Sequence, residues 1–124
     1  MKKIIQTGKA PKPVGPYSQA VKADGFLFIS GQLAIDPQQG KIVAIDIVEQ
    51  TRQVLENIKA ILQSAGFTLE NVVQTTVYLS SMALFKEFNA EYAKYFKNNA
   101  PARATVAVQL PPDALVEISA IAHA

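Results

Sequence analysis

An α+β fold, in which a mixed sheet of five or six strands carries two helices on one face, is predicted by three features of the sequence. Two stretches place apolar residues three and four positions apart, as the core-facing stripe of a helix requires. Several shorter runs are apolar or β-branched and are bounded by glycine or proline, as strands are. They alternate as strands, helix, strand, helix, strands, an order that puts both helices on one layer. The 124 residues suit one domain, 1–124, with a core that needs neither disulfide nor metal.

From the N-terminus, Lys9 to Val21 contains three prolines and one glycine. Proline removes backbone donors, so this leader is extended and wraps the surface before joining a sheet. Asp24-Gly25 is a turn signal, and Phe26 to Ile29, closed by Ser30-Gly31, reads as the strand after a hairpin. Asp36 to Gly40 is a second turn. Asp46 to Ala65 is the clearest helix: Asp46 suits the N-cap, Glu49 completes a capping-box pattern, and Gly66 suits the position just past the end. Val72 to Leu79 is rich in β-branched residues and reads as a strand. Ser81 caps a second helix of about four turns, with Phe85, Phe88, Tyr92, Tyr95 and Phe96 on the face that packs on the sheet. Asn98, Asn99 and Pro101 end it. Arg103 to Gln109 and Leu115 to Ala122 read as closing strands, joined by the turn-like Leu110 to Asp113. Two helices cover one face of such a sheet, so the other face needs a partner, and the simplest is the same face of another copy.

Composition removes several function classes. Hydrophobic residues make up 49% and charged residues 18%, a globular balance. A net charge of +2 is too weak for the basic stripe that nucleic-acid backbones select, so no nucleic-acid partner is expected. With no cysteine, thiolate chemistry and Cys-based zinc sites are excluded, and one histidine rules out a two-histidine acid/base pair within the chain. Neither a secretory apolar segment nor a membrane-length run is visible, which predicts a cytoplasmic protein without membrane contact.

The informative polar residues lie inside apolar strands. Glu117 stands in Leu115 to Ala122, where a carboxylate is rarely buried unpaired. Arg103 opens the preceding strand. If the two strands form a hairpin of suitable register, Arg103, Thr105, Glu117 and Ser119 share one face. One reading of Arg103 and Glu117 is a structural ion pair. The other is a site, in which arginine grips a carboxylate with its planar fork and glutamate orients or deprotonates a water. The Gly31 N–H can approach a ligand closely, Ser30 precedes it, Tyr17 is aimed by the preceding Gly-Pro, and Asn89 lies in the aromatic helix.

Pro13 to Ala20, Ile29 to Gln32, Phe88 to Tyr92, Pro101 to Arg103, and Val116 to Ile118 with Ala120 to Ala122 together resemble the RidA/YjgF family of reactive-intermediate deaminases. The resemblance implies a chorismate-mutase-like fold and a homotrimer with clefts between subunits. It implies hydrolysis of 2-iminobutanoate and 2-iminopropanoate to 2-oxo acids and ammonia, with no cofactor and no metal. Arg103 would bind the substrate carboxylate and Glu117 act on the water, while Tyr17, Ser30, Gly31, Asn89 and Thr105 line the cleft. Thr105 stands where many members have cysteine. The stretch Val106 to Pro111 is one residue shorter than in some members, a difference that a register-shifting bulge could absorb. Ribonuclease, translation-inhibitor and chaperone-like roles, also attached to this family, are the alternatives.

Overall fold

The computed structural model describes Met1–Ala124. Its architecture starts from local turns. Strands β2 (Ala20–Ala23) and β3 (Phe26–Gln32) pair Ala23 with Phe26 across two residues of positive φ, Asp24 at 49° and Gly25 at 81°, the geometry a tight hairpin demands. A three-residue strand, β1 (Lys3–Ile5), adds antiparallel to β2; it is too short to have been visible in the sequence. Between β1 and β2 the proline-rich leader is pinned by one buried amide. Gln19, 2% exposed, accepts from the Thr7 N–H at 2.7 Å and donates to the carbonyls of Thr7 at 3.0 Å, Ala10 at 3.3 Å and Pro11 at 2.9 Å. The second turn joins β4 (Ile35–Asp36) to β5 (Lys41–Ile42), with Asp36 Oδ1 accepting from the N–H groups of Gln38 and Gln39.

Helix α1 (Ile47–Ser64) begins where expected: Asp46 accepts from the Glu49 N–H at 2.8 Å. Only half of the anticipated capping box forms, because the Glu49 carboxylate turns to Arg52 instead, at 2.6 Å. Val54, Leu55, Ile58, Ile61 and Leu62 are fully buried, as the spacing predicts. Strand β6 (Val72–Leu79) follows. The four-turn helix expected from Ser81 divides in two. Ser81 accepts from the Ala83 N–H and opens a 3₁₀ turn over Met82–Leu84, and α2 proper spans Phe85–Tyr95. Phe88, Tyr92 and Phe96 pack into the core.

The last two strands, β7 (Ala102–Ala107) and β8 (Val116–His123), do not form the hairpin suggested by their order. The sheet runs β1-β2-β3-β8-β6-β7, with β6 between them, antiparallel to β8 and parallel to β7. The reason lies in their faces. In β8, Val116, Ile118, Ala120 and Ala122 are all buried, so this strand takes a central place. No residue of β7 is fully buried, and its small and charged side chains suit an edge. The crossing loop between them is held by Gln50, which donates to the carbonyls of Ala44 and Asp113 and accepts from the Leu115 N–H. No bulge interrupts β7 itself: β6 and β7 pair without a break from Gln74–Ala102 to Leu79–Ala107, and the shorter stretch after Ala107 lies beyond the ladder. The register shifts fall instead between Ile29 and Gln32 and between Val72 and Gln74.

This topology also corrects the shared face. Arg103 lies opposite Thr75 and Thr105 opposite Val77, both buried beneath the helices. Glu117 lies opposite Tyr78 and Ser119 opposite Thr76, on the alternate side of the strand. Arg103 and Thr105 therefore belong to the helix face, and Glu117 and Ser119 to the open face. That open face also carries exposed Ile4, Phe26, Phe28 and Val106. No helix is long and apolar enough to cross a membrane.

Candidate functional site

The predicted site residues fall into two groups, one on each face of the sheet. The first gathers around Arg103. Its Nη1 donates to Asn89 Oδ1 at 2.8 Å, so the helix residue and the strand residue meet. The guanidinium lies over three rings of the α2 stripe, 4.8 Å from the centroid of Tyr92, 5.6 Å from Phe85 and 5.8 Å from Phe88. π faces attract such a cation without neutralising it. Burial pushes the Tyr92 phenol up, opposed by its hydrogen bond with Thr75 and by the Arg103 charge. The Thr105 Oγ1, on the same edge strand, is buried and has no hydrogen-bond partner.

The structural ion pair does not exist within the chain. The ion pairs are Arg52 with Glu49 and Glu91, and Lys94 with Glu91; Arg103 and Glu117 take part in none. Arg103 is exposed, held by an amide and aromatic rings, with N–H groups left for an incoming anion.

The second group gathers around Glu117. Its side chain is half-buried, and burial alone pushes its carboxyl above the usual carboxylate range. Gly31 lies directly against it: a Cβ at this position would collide with Glu117 Oε2. Here glycine leaves room for the Glu117 carboxylate in its present rotamer, which a larger residue would displace. Tyr17 and Gly31 share a small cavity of about 70 Å³ with Lys12, Val14, Gln32 and Ile35. Tyr17 is 49% exposed, with its hydroxyl 3.4 Å from the Val14 N–H. Ser30 has a different task from the one expected of a cleft residue. Its Oγ donates to the Ser18 carbonyl at 2.6 Å and its N–H to the Gln19 carbonyl at 3.0 Å, so both donors fasten the leader that carries Tyr17.

The sequence reading missed the residues that hold these groups in place. Gln19 was visible only as part of a motif, although a glutamine between a serine and an apolar strand needs several partners once buried. Thr75 and Tyr92 were read as strand and core. The available signal was the single hydroxyl on the inward part of an otherwise phenylalanine-rich stripe, because a buried phenol seeks a partner. Chemically, one group offers a guanidinium with no carboxylate partner in the chain and the other a carboxylate with raised proton affinity.

The endoribonuclease L-PSP family matches residues 7–124. A RutC family protein of Pyrococcus horikoshii is 58% identical, the match covering 99% of this chain and 98% of that protein. The mouse protein named 2-iminobutanoate/2-iminopropanoate deaminase is 46% identical over 98% of this chain and 91% of its own length. The crystal structure of RidA from the Antarctic bacterium Psychrobacter superposes with a TM-score of 0.94 at 41% identity, covering 98% of this chain and 99% of that one. With its two helices on a mixed six-stranded sheet, the chain belongs to the endoribonuclease L-PSP family, the RidA/YjgF family that its motifs resemble.

Proposed function

We propose that the protein is a hydrolytic deaminase that converts small 2-imino acids, such as 2-iminobutanoate and 2-iminopropanoate, to 2-oxo acids and ammonia. The observation that carries this reading is the Arg103 guanidinium, held on aromatic faces and by Asn89 with no carboxylate partner of its own. Such a cation binds a substrate carboxylate bidentately. Because Glu117 sits on the opposite face of the same sheet, a working cleft joins the Arg103 group of one copy to the Glu117 group of another. The apolar open face supports association of copies, and the reading takes the assembly to be a homotrimer with three clefts.

In each cleft the carboxylate lies on Arg103, with Asn89 and Thr105 beside it and Tyr17 and the Gly31 N–H closing the other side. Glu117 accepts a proton from water as the oxygen bonds to the imine carbon, and passes that proton to the imine nitrogen to give the carbinolamine. Glu117 then takes the hydroxyl proton and delivers it to the nitrogen as the C–N bond breaks, so the carbonyl forms, ammonia leaves and the carboxylate is restored. A raised carboxyl proton affinity suits this exchange, since a base works best with a pKa near the operating pH.

The test follows an imine generated in place, with a chemical trap competing for it. Arg103→Ala should lower kcat/KM by about tenfold to a hundredfold, the loss of a charge-assisted contact. Glu117→Gln keeps the shape and loses the base, so kcat should fall by about 10²–10⁴ while 2-oxo acid binding persists. Wild-type turnover in a folded Glu117→Gln variant would leave this reading without its base. Light scattering of the purified protein should give a trimer; a monomer at micromolar concentration removes the shared cleft. A ribonuclease reading has less support, with one histidine and a charge of +2.

A further inference from the structure

We propose that Tyr92 and Thr75 are positioning residues for this reaction, their hydrogen bond tethering the ring that presents Arg103 to the substrate carboxylate. The inference rests on the deaminase reading above. Three rings lie under the guanidinium, and Tyr92 is both the nearest and the one with a hydroxyl. That hydroxyl is buried and lies 2.7 Å from Thr75 Oγ1. Thr75, 1% exposed, stands directly opposite Arg103 in the parallel pair of β6 and β7. The tether thus starts at the strand position beside the arginine, crosses to α2, and returns as a ring face beneath the charge. Phe88 and Phe96 flank the Tyr92 ring in tilted contacts, with centroids at 5.4 and 4.8 Å, and limit its movement.

The arrangement solves a specific problem. A long arginine side chain loses rotamer freedom when it is held still. A neighbouring carboxylate would hold it, but would also compete with the substrate. A tethered ring and a neutral amide hold it without competing, so part of the ordering cost is met before substrate arrives.

The experiment measures kcat, KM and calorimetric binding of 2-oxobutanoate for the assembled protein and its variants. Thr75→Val and Tyr92→Phe each break the tether and keep the packing. Each should raise KM and weaken 2-oxobutanoate binding about two- to tenfold, the range of one hydrogen bond, with kcat little changed. Thr75→Ser should restore both values. In an Arg103→Ala background, Thr75→Val should add nothing to the binding loss. A Thr75→Val protein that melts earlier but binds 2-oxobutanoate like the wild type overturns the proposal, and Tyr92→Phe decides in the same way if Thr75→Val does not fold. Unchanged binding in Arg103→Ala removes the carboxylate role itself. Weakened binding there, with none lost in either tether variant, removes the positioning role alone.

Discussion

The two faces of the sheet support their key charges in opposite ways. Arg103 is crowded with support: three ring faces, an amide oxygen, and a buried hydrogen bond behind the nearest ring. Glu117 has almost none, only a glycine pressed against it and enough burial to make its charge costly. The difference matches what the proposed reaction asks of each charge. A guanidinium that receives an anion has to stay charged and still, which π faces and a neutral amide achieve without neutralising it. A carboxylate that exchanges protons has to gain and lose its charge, and partial desolvation brings that exchange closer to neutral pH. In the reaction proposed above, the Arg103 group of one copy and the Glu117 group of another complete each other.

Mixing the two damaged halves is the sharpest way to break this comparison. Arg103→Ala chains keep a sound Glu117 half, and Glu117→Gln chains keep a sound Arg103 half. If clefts join halves from different copies, every mixed trimer regains one cleft with both wild-type groups. Co-refolding the two inactive variants should then restore activity to a sizeable fraction of wild type, orders of magnitude above either variant alone. No recovery, with mixed oligomers shown to form by mass spectrometry, would place both groups in a single copy's cleft and contradict the sheet register.

The second expected effect concerns pH. Burial raises the Glu117 carboxyl above the ordinary carboxylate range, so the base is lost to protonation at a higher pH than an exposed glutamate would be. The profile of kcat/KM should fall on its acid side through that raised value. Glu117→Asp shortens the reach and should move the limb, and Glu117→Gln should abolish it. The stability sign is opposite to that of a salt-bridged acid. A group with raised folded pKa binds its proton more readily when folded, so its contribution favours the fold at low pH and fades as pH rises through the folded value. An acid limb that survives in Glu117→Gln belongs to another group and separates the pH response from the open face.

Much of the fold was legible because its signals are local. The hairpin at Asp24-Gly25, the Asp46 cap and the β-branched run of β6 each announce themselves within a few residues. The candidate site residues stand out in the sequence too, since Arg103 and Glu117 interrupt apolar strands. What alternation could not reveal is which strand lies between two others. Inserting β6 between β7 and β8 sets the parity that sends Arg103 to one face and Glu117 to the other, and that pairing depends on contacts far apart in sequence. Ser30 shows the same limit: its residue type suits a ligand, but the sequence did not reveal that its hydroxyl proton goes to the Ser18 carbonyl.

The smallest effect on activity should come from the residue that holds the two halves in one frame. Gln50 is 1% exposed, and its side chain satisfies three backbone groups at once: the carbonyls of Ala44 and Asp113 and the Leu115 N–H. The last two belong to the loop that carries the chain from β7 on the edge across β6 to β8. Gln50→Leu has similar volume and no polar atoms, so it leaves two carbonyls and an N–H without partners in a tight space. Each buried unsatisfied group costs about 1–3 kcal/mol, reduced wherever water can reach the loop. A net loss of about 2–4 kcal/mol should lower Tm by roughly 5–15 °C for a chain of this size. Below that temperature kcat should stay near wild type, because the registers of β7 and β8 against β6 are set by their own ladders and not by the loop. If Gln50→Leu melts normally, the loop does not depend on this clamp. If it melts normally but loses kcat, the clamp serves the chemistry of the Glu117 half, and the supports of the two faces are more alike than their charges suggest.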